Sequence, residues 1–251
     1  MIAFSNARIV ITGAGGGVGT ALVEVLGAAG ARIVGCERPG GPLPEAGLAE
    51  ARHFDLTDAA ATEAAARAIL AGGTPAAVIL NAGATAAETM DDVTDTAFAR
   101  EMALNFDGAA RLSRAFLPAM RAAGQGAFVF VSSVNAAMHF GNPAYAAAKA
   151  AALAWMRAIA VEEGRHGLRA NAVMPGSIRT PAWDARIAAD PALFEKVRRL
   201  YPMNRLVEPA EVARAVAFLA SDAASGITGV VLPVDAGILA GNRPFLELIG
   251  G

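Results

Sequence analysis

Short β-branched runs alternate with alanine-rich helical stretches along the whole of this 251-residue chain. ARIVITG leads to a helix through Leu22 and Leu26; ARIVGCE follows, then a helix from about Thr57 to Leu70 and the run AAVILNAG. A helix around Ala97 to Met120 leads to AFVFVSS, one through Trp155 and Ile159 leads to LRANAVMPG, and Pro209 opens a helix through Val212, Val216 and Leu219 before GVVLPVD. Apolar runs of about four to six residues separated by helices are what strands buried on both faces of a parallel sheet look like. The chain therefore reads as α/β, one doubly wound parallel sheet flanked by helices on both faces. The Pro/Gly stretch at 38–47 lies too near the second strand to be a domain linker and reads as a surface loop. The segment 179–208 breaks the alternation with three X-Pro pairs and only short helical pieces, which makes it the expected substrate lid beyond the carboxyl ends of the strands.

Composition narrows the partners. With 55% hydrophobic residues the chain can bury a core, so disorder is excluded. Lys and Arg number 21 against 23 Asp and Glu, with no long single-sign run, which leaves no nucleic-acid footprint and no polybasic membrane surface. Small molecules or further copies of the chain are the expected partners. The lone Cys36 cannot form an internal disulfide, and no CxxC or Cys/His cluster suggests a metal site, so a cytoplasmic setting is expected. The mean hydropathy of +0.42 raises the question of a membrane span. The longest apolar stretch, Ala146 to Val161, is interrupted by Lys149 and Arg157 and reads as a helix of a soluble fold, and MIAFSNARIVITG lacks the pattern of a targeting segment.

The first strand ends in Thr12-Gly13-Ala14-Gly15-Gly16-Gly17-Val18-Gly19 and passes at once into a helix. Such a turn needs glycine where φ is positive or where backbone must approach a pyrophosphate, and the helix N-terminus then offers N–H groups to the anion. The strict GxGxxG spacing is absent, and TGxxxGxG fits instead. Glu37 ends the second strand, where a carboxylate can accept from both hydroxyls of an adenosine ribose and repel a 2'-phosphate, which favours NAD. Arg38 beside it can pair with that phosphate, stack on the adenine or face solvent, so NADP stays open. Asp55, after the third strand, can accept from the adenine amino group or cap the next helix. Asn81-Ala82-Gly83 ends the fourth strand as a turn.

Tyr145 and Lys149 are four apart and share one helical face. An ammonium beside a phenol favours the phenolate and is expected to lower the Tyr145 pKa toward the range of a general acid/base. Ser132 and Ser133 stand at the end of the fifth strand, where a hydroxyl can hold a substrate oxygen or cap a turn. His139 lies between Ser133 and Tyr145, on a loop that borders the expected pocket, and can contact substrate or face solvent. Trp183 can cover the site or anchor the lid, and Arg179 and Arg186 can hold an anion or be solvated.

These motifs, in this order, resemble those of the short-chain dehydrogenase/reductase family, in its single-domain branch of about 250 residues, over essentially the whole chain. TGxxxGxG matches Thr12 to Gly19; the family's NNAG matches Leu80-Asn81-Ala82-Gly83 with its first Asn replaced; its PG motif falls on Pro175-Gly176 with the Thr at Thr180. The resemblance places a catalytic tetrad on Asn105, Ser133, Tyr145 and Lys149, with Ser132 as the lesser alternative to Ser133. It implies a Rossmann-type single domain spanning 1–251, with the cofactor held by Thr12, Gly13, Gly15, Gly16, Gly17, Val18, Gly19, Glu37, Arg38, Asp55, Leu56, Asn81, Ala82, Gly83, Tyr145, Lys149, Pro175, Gly176, Ile178 and Thr180. Ser133, His139 and Trp183 would meet the substrate, and no metal is implied. The implied reaction is hydride transfer between NAD(H) and a secondary alcohol or ketone. In it Tyr145 moves the proton, Lys149 tunes Tyr145 and holds the nicotinamide ribose, Ser133 binds the reacting oxygen and Asn105 positions a relaying water. An NADPH-dependent carbonyl or 3-oxoacyl reductase is the nearest alternative, and a non-catalytic ligand sensor on the same fold the more distant one. A homotetramer or dimer is implied as well.

Overall fold

The computed structural model describes residues 2–86 and 89–250, without the side chains of Pro181, Ala182, Arg186 and Pro191; the anion-binding expectation for Arg186 therefore lies outside the described residues. In chain order the elements are β1 (Arg8–Thr12), α1 (Gly17–Ala28), β2 (Arg32–Glu37), β3 (Leu48–His53), α2 (Ala59–Ala71), β4 (Ala77–Leu80), α3 (Asp95–Met102) and α4 (Gly108–Ala123). There follow β5 (Gly126–Val131), α5 (Pro143–Glu163), β6 (Leu168–Pro175), α6 (Pro181–Ala189), α7 (Pro191–Arg199), α8 (Pro209–Ala220), β7 (Val231–Val234) and α9 (Arg243–Leu248).

The seven strands form one sheet in the order β3-β2-β1-β4-β5-β6-β7, every pairing parallel. This is a Rossmann-like α/β fold, as the alternation of runs requires. Ile9, Val10 and Ile11 of β1 and all four residues of β4 are buried, as strands covered on both faces must be. α1 packs on α8 on one side of the sheet, while α2, α4 and α5 cover the other. Strand order reverses between β1 and β4, so a crevice opens beyond their carboxyl ends, where open α/β sheets bind ligands.

Three local departures bear on that crevice. The loop 38–47 joins β2 to its parallel neighbour β3 without the helix that usually makes such a crossover. The helix expected from Ala97 to Met120 starts earlier, at Asp95, and is interrupted by a π turn, Ala103–Asp107, between α3 and α4. The 179–208 excursion carries α6 and α7, and its stems are zipped by the parallel bridge Ile178 to Val207. The helical run Pro143–His166 is long and apolar enough to cross a membrane by length and composition. In the fold it packs against β6 and α3, burying Ala148, Lys149, Ala152, Leu153 and Met156.

Candidate active site

A cleft of about 610 Å³ opens at the carboxyl ends of β1, β4, β5 and β6. Every residue named from the sequence as a cofactor or catalytic contact lines it except Gly15 and Asn105. His139 and Trp183, expected at the substrate, do not line it. His139 is exposed on its loop, and Trp183 is half-buried and packed against the core, the anchoring one of its two expected roles.

The glycine turn is held by its neighbours. Gly13 has φ of +65°, and a Cβ there would lie 2.9 Å from the Ala82 Cα, so both conformation and space require glycine. The Asn81 side chain donates to the carbonyls of Thr12 (3.1 Å) and Gly13 (3.0 Å), and the Thr12 hydroxyl accepts from the backbone N–H groups of Asn81 and Ala82, both at 3.0 Å. Asn81 thus fastens the turn of β1 to the end of β4. Gly16 N-caps α1, whose first N–H groups have no partner within the helix and face the cleft. Gly17 brings no side chain into that approach, and a Cβ on Gly19 would fall 2.0 Å from the Gly13 carbonyl oxygen, so the turn closes tightly onto the helix and its donor set fits a dinucleotide pyrophosphate.

Gly15, expected among the cofactor contacts, does not line the cleft and is a packing glycine. A Cβ on it would fall 1.7 Å from the Pro42 carbonyl oxygen, because the helix-free 38–47 loop lies over the turn. Its N–H donates to Glu37 Oε2 at 3.1 Å, and the Arg38 N–H donates to Glu37 Oε1 at 3.0 Å. Two backbone donors therefore fix the Glu37 carboxylate at the β2 end of the cleft, while Arg38 is exposed beside it. Asp55 does not cap the following helix; Asp58 does, accepting from Ala61 N at 3.0 Å. Asp55 instead accepts from the hydroxyl and N–H of Thr57, which hold its carboxyl below the usual range, and it faces the cleft.

At the other end α5 carries Tyr145 and Lys149. The Lys149 Nζ stands 5.6 Å from the centre of the Tyr145 ring and donates to the Val131 carbonyl at 3.0 Å. Burial drives the Lys149 pKa down to about 8, opposed by the negative charge of Glu101. Tyr145 departs from expectation: burial pushes its phenol above the ordinary value, the Ser133 hydroxyl hydrogen-bonded to it pulls the other way, and Glu101 raises it further. The desolvation that sets the phenol against Ser133 outweighs any help from the ammonium. Ser132 spends its hydroxyl on the Lys149 carbonyl at 3.2 Å, which ties β5 to α5. Ser133, N-cap of the 3-10 turn Val134–Ala136, is the hydroxyl that meets Tyr145.

Asn105 sits on the π turn at 2% exposure, just behind the cleft wall. Its Oδ1 has no hydrogen-bond partner in the protein, and a Cβ on Gly83 would lie 2.7 Å from that atom and 2.9 Å from Lys149 Nζ. Gly83 is therefore the gap through which the Asn105 oxygen and the Lys149 ammonium approach each other. Several groups here escaped the sequence reading: Glu101, whose burial is tertiary, Leu104, which lines the cleft from the π turn, and Phe54, Thr57, Ala84, Thr85 and Val131, which line it from the strand ends and their loops. Arg179 is engaged by Asp184 at 3.1 Å on the surface. Burial pushes the Cys36 thiol up to about 12, so it is an inert part of the cleft floor. Among the described residues no group of three or more His, Cys, Asp or Glu could hold a metal.

Residues 13–239 match the family described as enoyl-(acyl carrier protein) reductase. Galactitol 2-dehydrogenase (L-tagatose-forming) of Cereibacter sphaeroides is 36% identical over 242 residues, covering 92% of this chain and 94% of that protein. The solved structure of an oxidoreductase of the short-chain dehydrogenase/reductase family from Burkholderia thailandensis superimposes with a TM-score of 0.87 at 40% identity, covering 97% of both chains. That of a candidate NAD(P)-dependent gluconate 5-dehydrogenase from Beutenbergia cavernae, with NADP bound at low occupancy, does so at 0.88 with 32% identity, covering 96% of this chain and 99% of that one.

Proposed function

Because the chain belongs to the short-chain dehydrogenase/reductase family and is an NAD(P)-dependent oxidoreductase acting on CH–OH or carbonyl groups, we propose that it interconverts a secondary alcohol and a ketone, with NAD(H) preferred and with residues 1–251 serving as one domain. The observation that carries this reading is the meeting of Ser133, Tyr145 and Lys149 in one cleft with the glycine turn. The bound nicotinamide supplies the hydride donor or acceptor. Tyr145 gives a proton to the substrate oxygen in reduction and takes it in oxidation; Ser133 donates a hydrogen bond to that oxygen. Lys149 stays charged below about pH 8 and presents its ammonium to the ribose side. Asn105 offers its unpartnered Oδ1 toward Lys149, where a water can relay protons.

The fixed Glu37 carboxylate supports NAD(H), since it cannot turn away from a 2'-phosphate. Arg38, in the same cleft, and the NADP-bound neighbour support the second reading, an NADPH-dependent carbonyl or 3-oxoacyl reductase. Relatives named for polyol and sugar-acid substrates make those the first compounds to try. A homodimer or homotetramer accords with the exposed alanine face of α5 at Ala147, Ala150, Ala154 and Ala158, and the buried reduced Cys36 suits a cytoplasmic setting. The test is turnover of a panel of polyols, sugar acids, alcohols and ketones with each cofactor: oxidation or reduction of a hydroxyl or keto carbon with NAD(H) ahead supports the reading, and no redox turnover with any of them contradicts it.

A further inference from the structure

Glu101 of α3 is a carboxylate at 3% exposure, one turn ahead of Asn105. Its Oε2 accepts from Asn105 Nδ2 at 2.8 Å, and its backbone carbonyl accepts from the same nitrogen at 3.1 Å. The Asn105 Nδ2 also donates to the Ala84 carbonyl at 2.9 Å. With its two N–H groups shared among three acceptors on one side, the amide presents Oδ1 on the other, toward Gly83 and Lys149. The second Glu101 oxygen accepts from Ala86 N–H at 3.4 Å and from Arg100 at 3.3 Å.

An ionised carboxyl at this depth is costly unless an opposite charge compensates it. Arg100 is 56% exposed, so water screens its share. Across the packed contact of α3 with α5 stands the Lys149 ammonium, itself 4% exposed and equally in need of a counter-charge. We propose that Glu101 is a positioning residue for the Tyr145 and Lys149 pair: its carboxylate sets which end of the Asn105 amide faces Lys149 and is the buried counter-charge of the Lys149 ammonium. The proposal rests on the reading of Tyr145 and Lys149 as the acid/base machinery.

The ionisable groups around this cluster, among the described residues, are few. Arg100 and Glu101 come from α3, Tyr145 and Lys149 from α5, and Asp107 on the π turn is exposed. The strand end 81–86 and the segment 131–136 contribute no ionisable side chain. Against burial, which lowers Lys149, Glu101 acts to raise it; Glu101 also raises Tyr145, so both groups should titrate lower without its charge.

The chain has only two lysines, Lys149 and the exposed Lys196, so NMR of protein labelled at lysine Cε reads Lys149 directly with an internal reference and no substrate. In the parent, burial should bring the Lys149 midpoint down from 10.5 to about 8. Glu101→Gln keeps an oxygen for Asn105 Nδ2 and removes the charge; it should lower the Lys149 midpoint by about one pH unit, within the range a neighbouring charge moves a buried group, and leave Lys196 unmoved. Glu101→Asp keeps the charge and should hold the midpoint within about half a unit. Should Glu101→Gln not fold, Glu101→Asn against Glu101→Asp decides, because the pair differ in charge at one length: a Lys149 midpoint about one unit lower with Asn than with Asp supports the proposal and equal midpoints overturn it, while Asn105→Ala, which cuts the hydrogen bonds and leaves the charge, should hold the midpoint. An unchanged midpoint in Glu101→Gln, or a fall of about a unit in either charge-retaining variant, overturns it. A purely structural hydrogen bond would move none of these midpoints with charge. Turnover surviving Tyr145→Phe would instead discard the reaction while leaving the Lys149 midpoints as they are, so the two failures are distinct.

Discussion

At the scale of single residues, small conformational facts decide what the cleft can hold. Gly15 tolerates no side chain because the Pro42 carbonyl occupies the place of its Cβ. Gly15→Ala should therefore lower stability by about 1 to 3 kcal/mol, as overpacking does, measured as a fall in the denaturation midpoint, and should weaken dinucleotide binding as the 38–47 loop lifts. Gly40→Ala, which meets no atom, should cost only the strain of its φ of +74° and spare binding. Glu37→Ala should raise the efficiency with NADP relative to NAD; an unchanged ratio favours the NADPH reading, because then Arg38 already governs the choice. The place of Glu37 in the cleft was legible in its position at the end of β2. Its anchoring by Gly15 and Arg38 was not, since those bonds depend on how the loop folds back. Glu101 was hidden for a related reason: in Phe98-Ala-Arg-Glu-Met it reads as a solvated helical face, and only its four-residue spacing from Asn105 carried a signal.

At the scale of elements, strands and helices follow from hydrophobic periodicity, and the departures come where tertiary packing or turn chemistry intervenes. The π turn inside the expected Ala97 to Met120 helix leaves no mark in the apolar pattern, yet it carries Asn105 and Leu104 to the site. The start of α8 shows the opposite case, a local signal that holds. Pro209 opens the helix, and Glu211 accepts from Glu208 N–H at 2.9 Å and from both terminal nitrogens of Arg205 at 2.7 Å. The Arg205 hydrogen bond, aided by Glu208 N–H, holds the Glu211 carboxyl at about 2 instead of 4.5. A carboxyl depressed on folding contributes stability that is complete above its unfolded pKa and lost as pH falls toward its folded value. Glu211→Gln should thus destabilise the protein by about 1 to 2 kcal/mol at neutral pH, and the difference should close as pH falls from 4.5 to 2. A difference that stays constant over that window would show the loss to be one of shape rather than charge.

At the scale of the whole molecule, the parallel sheet places the glycine turn and the Tyr145 and Lys149 pair at opposite ends of one crevice, joined by Asn81, Ala82 and Gly83 at the topological switch. That arrangement was readable from motif order, because strand order and crossover handedness leave few alternatives. Substrate choice was not, because neither His139 nor Trp183 lines the cleft. The exposed face of α5, and Phe245, Leu246, Leu248 and Ile249 of the C-terminal segment, leave apolar surface that a second copy can cover. Light scattering on the eluting protein should accordingly give two or four times the 25.4 kDa chain mass; a monomer would refute the assembly. The account as a whole stands on Tyr145 as the proton carrier. Its most direct test is the absorbance of reduced nicotinamide during turnover of the best substrate from the panel by the parent and by Tyr145→Phe. The expected result is a loss of kcat of about 100-fold or more with cofactor binding retained, and equal turnover in the two proteins would contradict it.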